Sequence, residues 1–169
     1  MATTMFKGNP VKLSGELPAN GKPAPGFKAV ANDLSEVDLS KFKGKTLIIS
    51  AVPSLDTGVC DKETRRFNEE AGKLGDNVAI LTISNDLPFA QKRWCGAAGV
   101  DKVQVVSDFR DHAFGKAYGI EQSDGPLRGL LARAVVVVGK DGTIKYSQLV
   151  PEITTEPDYA KILDAAKQA

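Results

Sequence analysis

The stretch Thr46–Cys60, TLIISAVPSLDTGVC, decides how the rest of the chain is read. TLIISAV is a short apolar run rich in β-branched residues, the mark of a strand buried on both faces. Pro53 cannot continue a ladder, so the strand stops there. Beyond it Cys60, Thr64, Phe67, Ala71 and Leu74 recur at steps of three and four with mostly charged residues between. That is an amphipathic helix. A buried strand that runs through a short loop into a helix is the opening of an α/β unit. In open α/β sheets, sites form beyond the carboxyl ends of the strands. VPSLDTGVC lies there, and it holds one of only two cysteines in the chain.

The alternation continues outward. NVAILTIS (77–84) reads as a second buried strand, Asn85-Asp86 before Pro88 as a helix start, and LPFAQKRWCGAAG (87–99) as a helix ended by glycine. VQVVSD (103–108) is a strand and DHAFGKAYGI (111–120) a short helix. ARAVVVVG and TIKYSQLV are strands joined by the turn Gly139-Lys140-Asp141-Gly142. Thr155–Asp158 opens a last helix with Tyr159, Ile162, Leu163 and Ala166 on one face. Upstream, MFKGNPVKL reads as a small hairpin turning at Gly8-Asn9. PANGKPAPGF is a connector, and FKAVAN and the region of Val37–Leu39 are short strands. The expectation is one α/β domain over residues 1–169, with a mixed central sheet, parallel early and antiparallel late. Such an order is compatible with a thioredoxin-like core.

Composition excludes several classes. The chain has 169 residues, 42% hydrophobic and 25% charged, with a net charge of +1, so it lacks the basic footprint of a nucleic-acid binder. The N-terminus has no apolar run, so neither a secretion signal nor a membrane anchor is expected, and the reading is a cytoplasmic protein. Cysteines in that compartment are more often catalytic, redox-sensing or metal-binding than structural. Two cysteines and one histidine are too few for an ordinary zinc site, and no metal or other cofactor is expected.

Cys60 falls in the first turn of its helix. Unpaired N–H groups and the positive end of the helix dipole stabilise a thiolate there. Thr57, three positions earlier, can turn its hydroxyl toward the sulfur or cap the helix. A disulfide-exchange site carries C-x-x-C at this point. Here Thr57 replaces the first cysteine, and the other thiol, Cys95, is 35 positions along on the next helix. Arg133 opens the most apolar strand, where a buried guanidinium needs an anionic partner. No carboxylate lies near it in sequence; a thiolate is one candidate partner, and a carboxylate brought close by the fold is another. Against these stand plainer readings. Cys60 can be a buried core cysteine, Cys95 an inert helix residue, and Arg133 a surface arginine at a strand end. His112 and Trp94 read as structural or packing residues. Gly44-Lys45-Thr46 lacks the leading glycine of a phosphate loop and opens a strand.

Pro53-x-x-x-Thr57-x-x-Cys60 resembles the P-x-x-x-T-x-x-C motif of peroxiredoxins. VPSLDTGVCDKETRRFNEEA, RWCGAAG, LLARAVVVV and the N-terminal hairpin all look like the thiol peroxidase subfamily of that family, the atypical 2-Cys kind. The resemblance implies a three-layer thioredoxin-like fold with an added N-terminal β-hairpin. It implies that Cys60 is the peroxidatic cysteine and that Thr57 and Arg133 position peroxide and stabilise the thiolate. Pro53 would then shield the site from water. It also implies that Cys95 resolves the sulfenic acid of Cys60 as a disulfide within the chain. Its implied substrates are hydrogen peroxide and organic hydroperoxides, its reductant thioredoxin, its assembly a homodimer and its role antioxidant defence. Leu55, Leu127, Leu130 and Leu131 are candidates for an apolar wall around the substrate. Three other functions fit the same residues less fully: a general disulfide oxidoreductase, a redox sensor, and a binding module with inert cysteines.

Overall fold

The computed structural model describes residues Met1–Ala169. β5 (Thr46–Ala51) lies near the centre of a seven-stranded sheet and every one of its residues is buried. It pairs parallel with β6 (Val78–Ser84), which pairs parallel with β7 (Gln104–Ser107). On the other side β5 pairs antiparallel with β8 (Ala134–Val138), and β8 with β9 (Ile144–Leu149). The expected order of parallel strands first needs one correction. β3 (Lys28–Ala31) and β4 (Glu36–Asp38) join the far edge, antiparallel, so the sheet runs β4-β3-β7-β6-β5-β8-β9 with its parallel strands in the middle.

Alternation along β5 and β8 sorts side chains onto two faces. Leu47, Ile49, Ala134 and Val136 join Phe27, Phe114 and Tyr118 in a core beneath α3 (Ala113–Ala117). Ile48, Val135 and Val137 face the other way, to Phe67 of α1 (Gly58–Leu74) and Ile162 and Ala166 of α4 (Tyr159–Gln168). α2 (Pro88–Ala98) flanks that second face, with Trp94 and Cys95 packed against its cluster. Helices therefore cover both faces of a mixed sheet, the thioredoxin-like three-layer arrangement expected from the sequence.

The N-terminal hairpin pairs β1 (Thr3–Phe6) with β2 (Asn9–Lys12). Its turn is Lys7-Gly8, one residue earlier than Gly8-Asn9. Phe6 pairs with Asn9, and Lys7 and Gly8 have φ of 50° and 79°, as a two-residue hairpin turn requires. α2 also departs from expectation: its N-cap is Leu87, not Asn85 or Asp86. No helix is long and apolar enough to cross a membrane.

Candidate active site

Residues of one parity in β5 and β8 meet the start of α1. Arg133 immediately precedes β8 and shares the parity of Val135 and Val137, so its side chain turns toward α1. Ser50 alternates with Ile49 and Ala51 and turns the same way. α1 begins at Gly58, two residues before Cys60, which places the cysteine inside the first turn. Its thiol is fully buried.

The Arg133 guanidinium is 2% exposed and is held on three sides. Nη2 donates to Cys60 Sγ at 3.2 Å, Nη1 to Glu63 Oε2 at 2.6 Å, and Nε to the Ile153 carbonyl at 2.8 Å. Glu63 is fully buried, and its other oxygen accepts from Ser50 Oγ at 2.9 Å. Burial pushes the Glu63 carboxyl up, and the guanidinium and the Ser50 hydroxyl pull it back. Burial also works against the charge on Arg133, but Glu63 and Cys60 outweigh it and hold the guanidinium protonated. A guanidinium does not give up its proton in a protein, so a charged pair is the state this 2.6 Å contact describes.

In the sequence, Glu63 stands among the charged residues between the apolar ones, where its charge reads as solvent-facing. The signal was there: residues 60, 63, 64 and 67 occupy i, i+3, i+4 and i+7, and all four are buried. It is also the carboxylate, distant in sequence and close in space, that the reading of Arg133 leaves open.

Thr57 stands at the N-cap of α1, but its side chain neither caps the helix nor bonds the sulfur. Its Oγ1 donates back to the Ser54 carbonyl at 2.9 Å and ties the loop across itself. The first-turn N–H groups thus have no side-chain acceptor. Pro53, at the start of the same loop, is buried. Asp86 fastens that loop from outside. Its carboxylate accepts from Ser54 Oγ at 2.8 Å, from the Leu55 N–H at 2.8 Å and from Ser84 Oγ at 2.7 Å. A residue expected to start α2 is instead the anchor of the cysteine loop.

Cys95 is not in this cluster. Both cysteines are free. Cys95 is half-buried on α2 and lines an open groove of about 690 Å³ with Asn32, Lys41 and Lys102. Burial pushes its thiol up, and the polar side chain of Asn32 opposes that. Its carbonyl accepts from the Gly99 N–H, which closes the helix in a left-handed residue, and from the Val100 N–H at 3.1 Å. Of the candidate apolar wall, Leu55 and Leu131 are buried, and Leu127 and Leu130 half-buried. No group of metal-ligating side chains is present.

Residues 19–163 match the model of the Redoxin family. The chain is 53% identical over 169 residues to a thiol peroxidase of Halalkalibacterium halodurans, covering 100% of this chain and 99% of that protein. This chain belongs to the Redoxin family, in its thiol peroxidase group. A second thiol peroxidase, from Bacillus subtilis, is 53% identical over 167 residues, covering 99% of this chain and 98% of the relative. In three dimensions this Redoxin superposes on the crystal structure of a peroxiredoxin-like protein from Aquifex aeolicus with a TM-score of 0.94. The two share 43% identity, with 99% of this chain and 97% of that one covered.

Proposed function

We propose that this chain is a thiol-specific peroxidase that reduces hydrogen peroxide and organic hydroperoxides, with Cys60 as the peroxidatic cysteine. The observation that carries this is the 3.2 Å contact from Arg133 Nη2 to the buried Cys60 Sγ, on a guanidinium locked in place by Glu63 and Ile153. A cation fixed against a sulfur at a helix N-terminus favours the thiolate, the nucleophilic form. The thiolate attacks the distal oxygen of the hydroperoxide. The S–O bond forms as the O–O bond breaks, and the leaving oxygen takes a proton to become water or an alcohol. Cys60 is left as a sulfenic acid. Charge moves from sulfur to the leaving oxygen, and Arg133 and the free first-turn N–H groups are fixed donors for it. Thr57 shapes the loop that presents those donors, and the buried Pro53 at its start keeps water from the sulfur.

Cys95 is the resolving cysteine in this reading. Its sulfur attacks the sulfenic sulfur, water leaves, and an intramolecular Cys60–Cys95 disulfide forms. A dithiol reductant of the thioredoxin type returns both thiols by exchange. The work is carried by one domain over residues 1–169, in a cytoplasmic homodimer that serves antioxidant defence.

Reduced protein treated with one equivalent of cumene hydroperoxide, then weighed intact under denaturing, non-reducing conditions, tests both assignments. A loss of about 2 Da in the monomer is expected, one disulfide from two thiols. A gain of about 16 or 32 Da would keep Cys60 as the reactive residue and remove Cys95 as its resolver. Two free thiols and an unchanged mass would end the peroxidase reading.

A further inference from the structure

We infer that the N-terminal hairpin is a brace that holds Arg133 in register with Cys60, and that Thr4 is the positioning residue at its centre. This rests on the peroxidase reading for the meaning of the site. The geometry itself stands apart from that reading.

β1 lies against the segment that follows β9. The Met5 N–H donates to the Pro151 carbonyl at 2.9 Å, and the Ile153 N–H donates to the Met5 carbonyl at 2.8 Å. The Lys7 N–H adds a 2.6 Å bond to Glu152 Oε1. Ile153 is the residue whose own carbonyl receives Arg133 Nε. The same segment also reaches Arg133 through the main chain, where the Val150 N–H donates to the Arg133 carbonyl at 3.0 Å. Strand, segment and guanidinium therefore form one unbroken run of hydrogen bonds from the hairpin to the cysteine sulfur.

β2 holds the other flank. The Ser123 N–H donates to the Lys12 carbonyl at 2.8 Å, and the Lys12 N–H donates to Asp124 at 2.8 Å. From that loop the Ile120 carbonyl accepts the N–H of Ala132, next to Arg133, at 2.8 Å. The two strands of the hairpin thus grip the two loops on either side of Arg133.

Thr4 gives this grip its specificity. It is 2% exposed and faces Val11 across the hairpin, a place where an apolar residue would suffice for packing. A buried hydroxyl is costly unless bonded. Its Oγ1 is within bonding reach of the carbonyls of Val150 at 2.9 Å and Pro151 at 3.1 Å, which fixes the segment two residues before Ile153.

The test is Thr4→Val, which keeps the shape and removes the hydroxyl, made in a Cys95→Ser background so that one thiol reports. Two rates are read: oxidation of Cys60 by hydrogen peroxide, and alkylation of Cys60 by iodoacetamide as a function of pH. Loss of one buried hydrogen bond to the segment is expected to slow oxidation about fivefold and to slow alkylation of Cys60 as well. Glu152→Gln weakens the same clamp from the solvent side and is expected to move both in the same direction, about twofold, with the core untouched. If both variants keep the parent's oxidation rate and alkylation profile, whatever their melting temperatures, the hairpin is only a stabilising element and the inference is overturned. A parent that alkylates at Cys60 yet ignores peroxide would overturn the peroxidase reading instead, and the alkylation profile would still decide the brace.

Discussion

Glu63 is the residue on which the arrangement around Cys60 can be broken most cleanly. It and Arg133 are 0% and 2% exposed at the side chain and meet at 2.6 Å. Glu63→Ala leaves a buried guanidinium with one carbonyl and one sulfur, and leaves the Ser50 hydroxyl without its acceptor. Removing one partner of a buried ion pair costs about 3–5 kcal/mol. For a chain of this size each kcal/mol is about 2–4 °C, so the melting temperature should fall by about 6–20 °C. Arg133→Met should cost a similar amount, because it strands the carboxylate. The double variant should then fall short of the sum by about 2 kcal/mol or more, since neither charge is left alone. Urea unfolding under reducing conditions measures all four corners of the cycle. Additivity within about 0.5 kcal/mol would refute the claim that the two side chains act as a buried pair.

Glu63→Gln separates charge from position. The amide keeps the shape and a partner for Ser50, but the negative charge is gone. The guanidinium then has the sulfur as its remaining anionic partner, so alkylation of Cys60 should speed up. The guanidinium also loses the strongest of its three anchors, and a looser donor stabilises moving charge less well. Reaction with peroxide should therefore slow. Opposite movement of the two rates is the signature. A variant in which both rates fall together would sink the reasoning.

Three further outcomes follow from other contacts. Asp86→Ala removes the acceptor of Ser54 Oγ and the Leu55 N–H, so it should cost about 1–3 kcal/mol and speed amide exchange across Pro53–Thr57 selectively. Unchanged exchange there would mean the loop holds itself. Thr57→Val loses the bond to the Ser54 carbonyl and should lower the peroxide rate by about 10-fold or more, with Thr57→Ser recovering most of it; a Thr57→Val protein of full rate would remove Thr57 from the site. Asp141, in the β8–β9 turn, is drawn down to about 2 from 3.8, chiefly by the Thr143 N–H and hydroxyl and by Lys145. Between those values the unfolded chain binds the extra proton. The stability Asp141 contributes is then present above about pH 4 and lost as pH falls toward 2. Asp141→Asn should unfold at lower urea than the parent at pH 6 and at the same urea at pH 2, and an equal gap at both would exclude the carboxylate as cause.

The fold was legible where burial imposes a period. TLIISA and AVVVV are buried along their whole length, and the stripe from Cys60 to Phe67 marks the helix between them. Parity within β5 and β8 even carries the information that Ser50 and Arg133 share a face with Cys60. What could not be read was long-range polar pairing. Asp86 looked like a helix start because short polar residues before a proline are the usual signal. Its carboxylate instead bonds a loop 31 and 32 positions away, which no local pattern encodes. Thr57 stands at the head of α1 as its position in the sequence suggests, yet its hydroxyl donates to a loop carbonyl and does not cap the helix. A side chain with one donor and several acceptors in reach is settled by tertiary geometry, not by its neighbours in sequence.

The proposed cycle asks two opposite things of the same region, and the structure divides them between two helices. Attack on peroxide needs Cys60 fixed, and α1 supplies that: the thiol is fully buried and its cation is anchored on three sides. Disulfide formation needs the two Cα atoms within about 7 Å, and both cysteines are free in this structure, so the proposed cycle asks a helix end to give way wherever they stand farther apart. α2 is the weaker partner. Cys95 sits in its last turn, closed by two bonds to its own carbonyl from Gly99 and Val100, each worth about 1 kcal/mol. Closing a loop of this length in the unfolded chain contributes about 4 kcal/mol in favour of the disulfide. Every contact that must be surrendered to form the bond subtracts from that advantage and leaves the disulfide easier to reduce. In the proposed cycle, a resolving cysteine in the last turn of α2 is then no defect of the fold. On that proposal, it would keep the disulfide open to reduction by another dithiol, while the reduced site stays rigid enough to react.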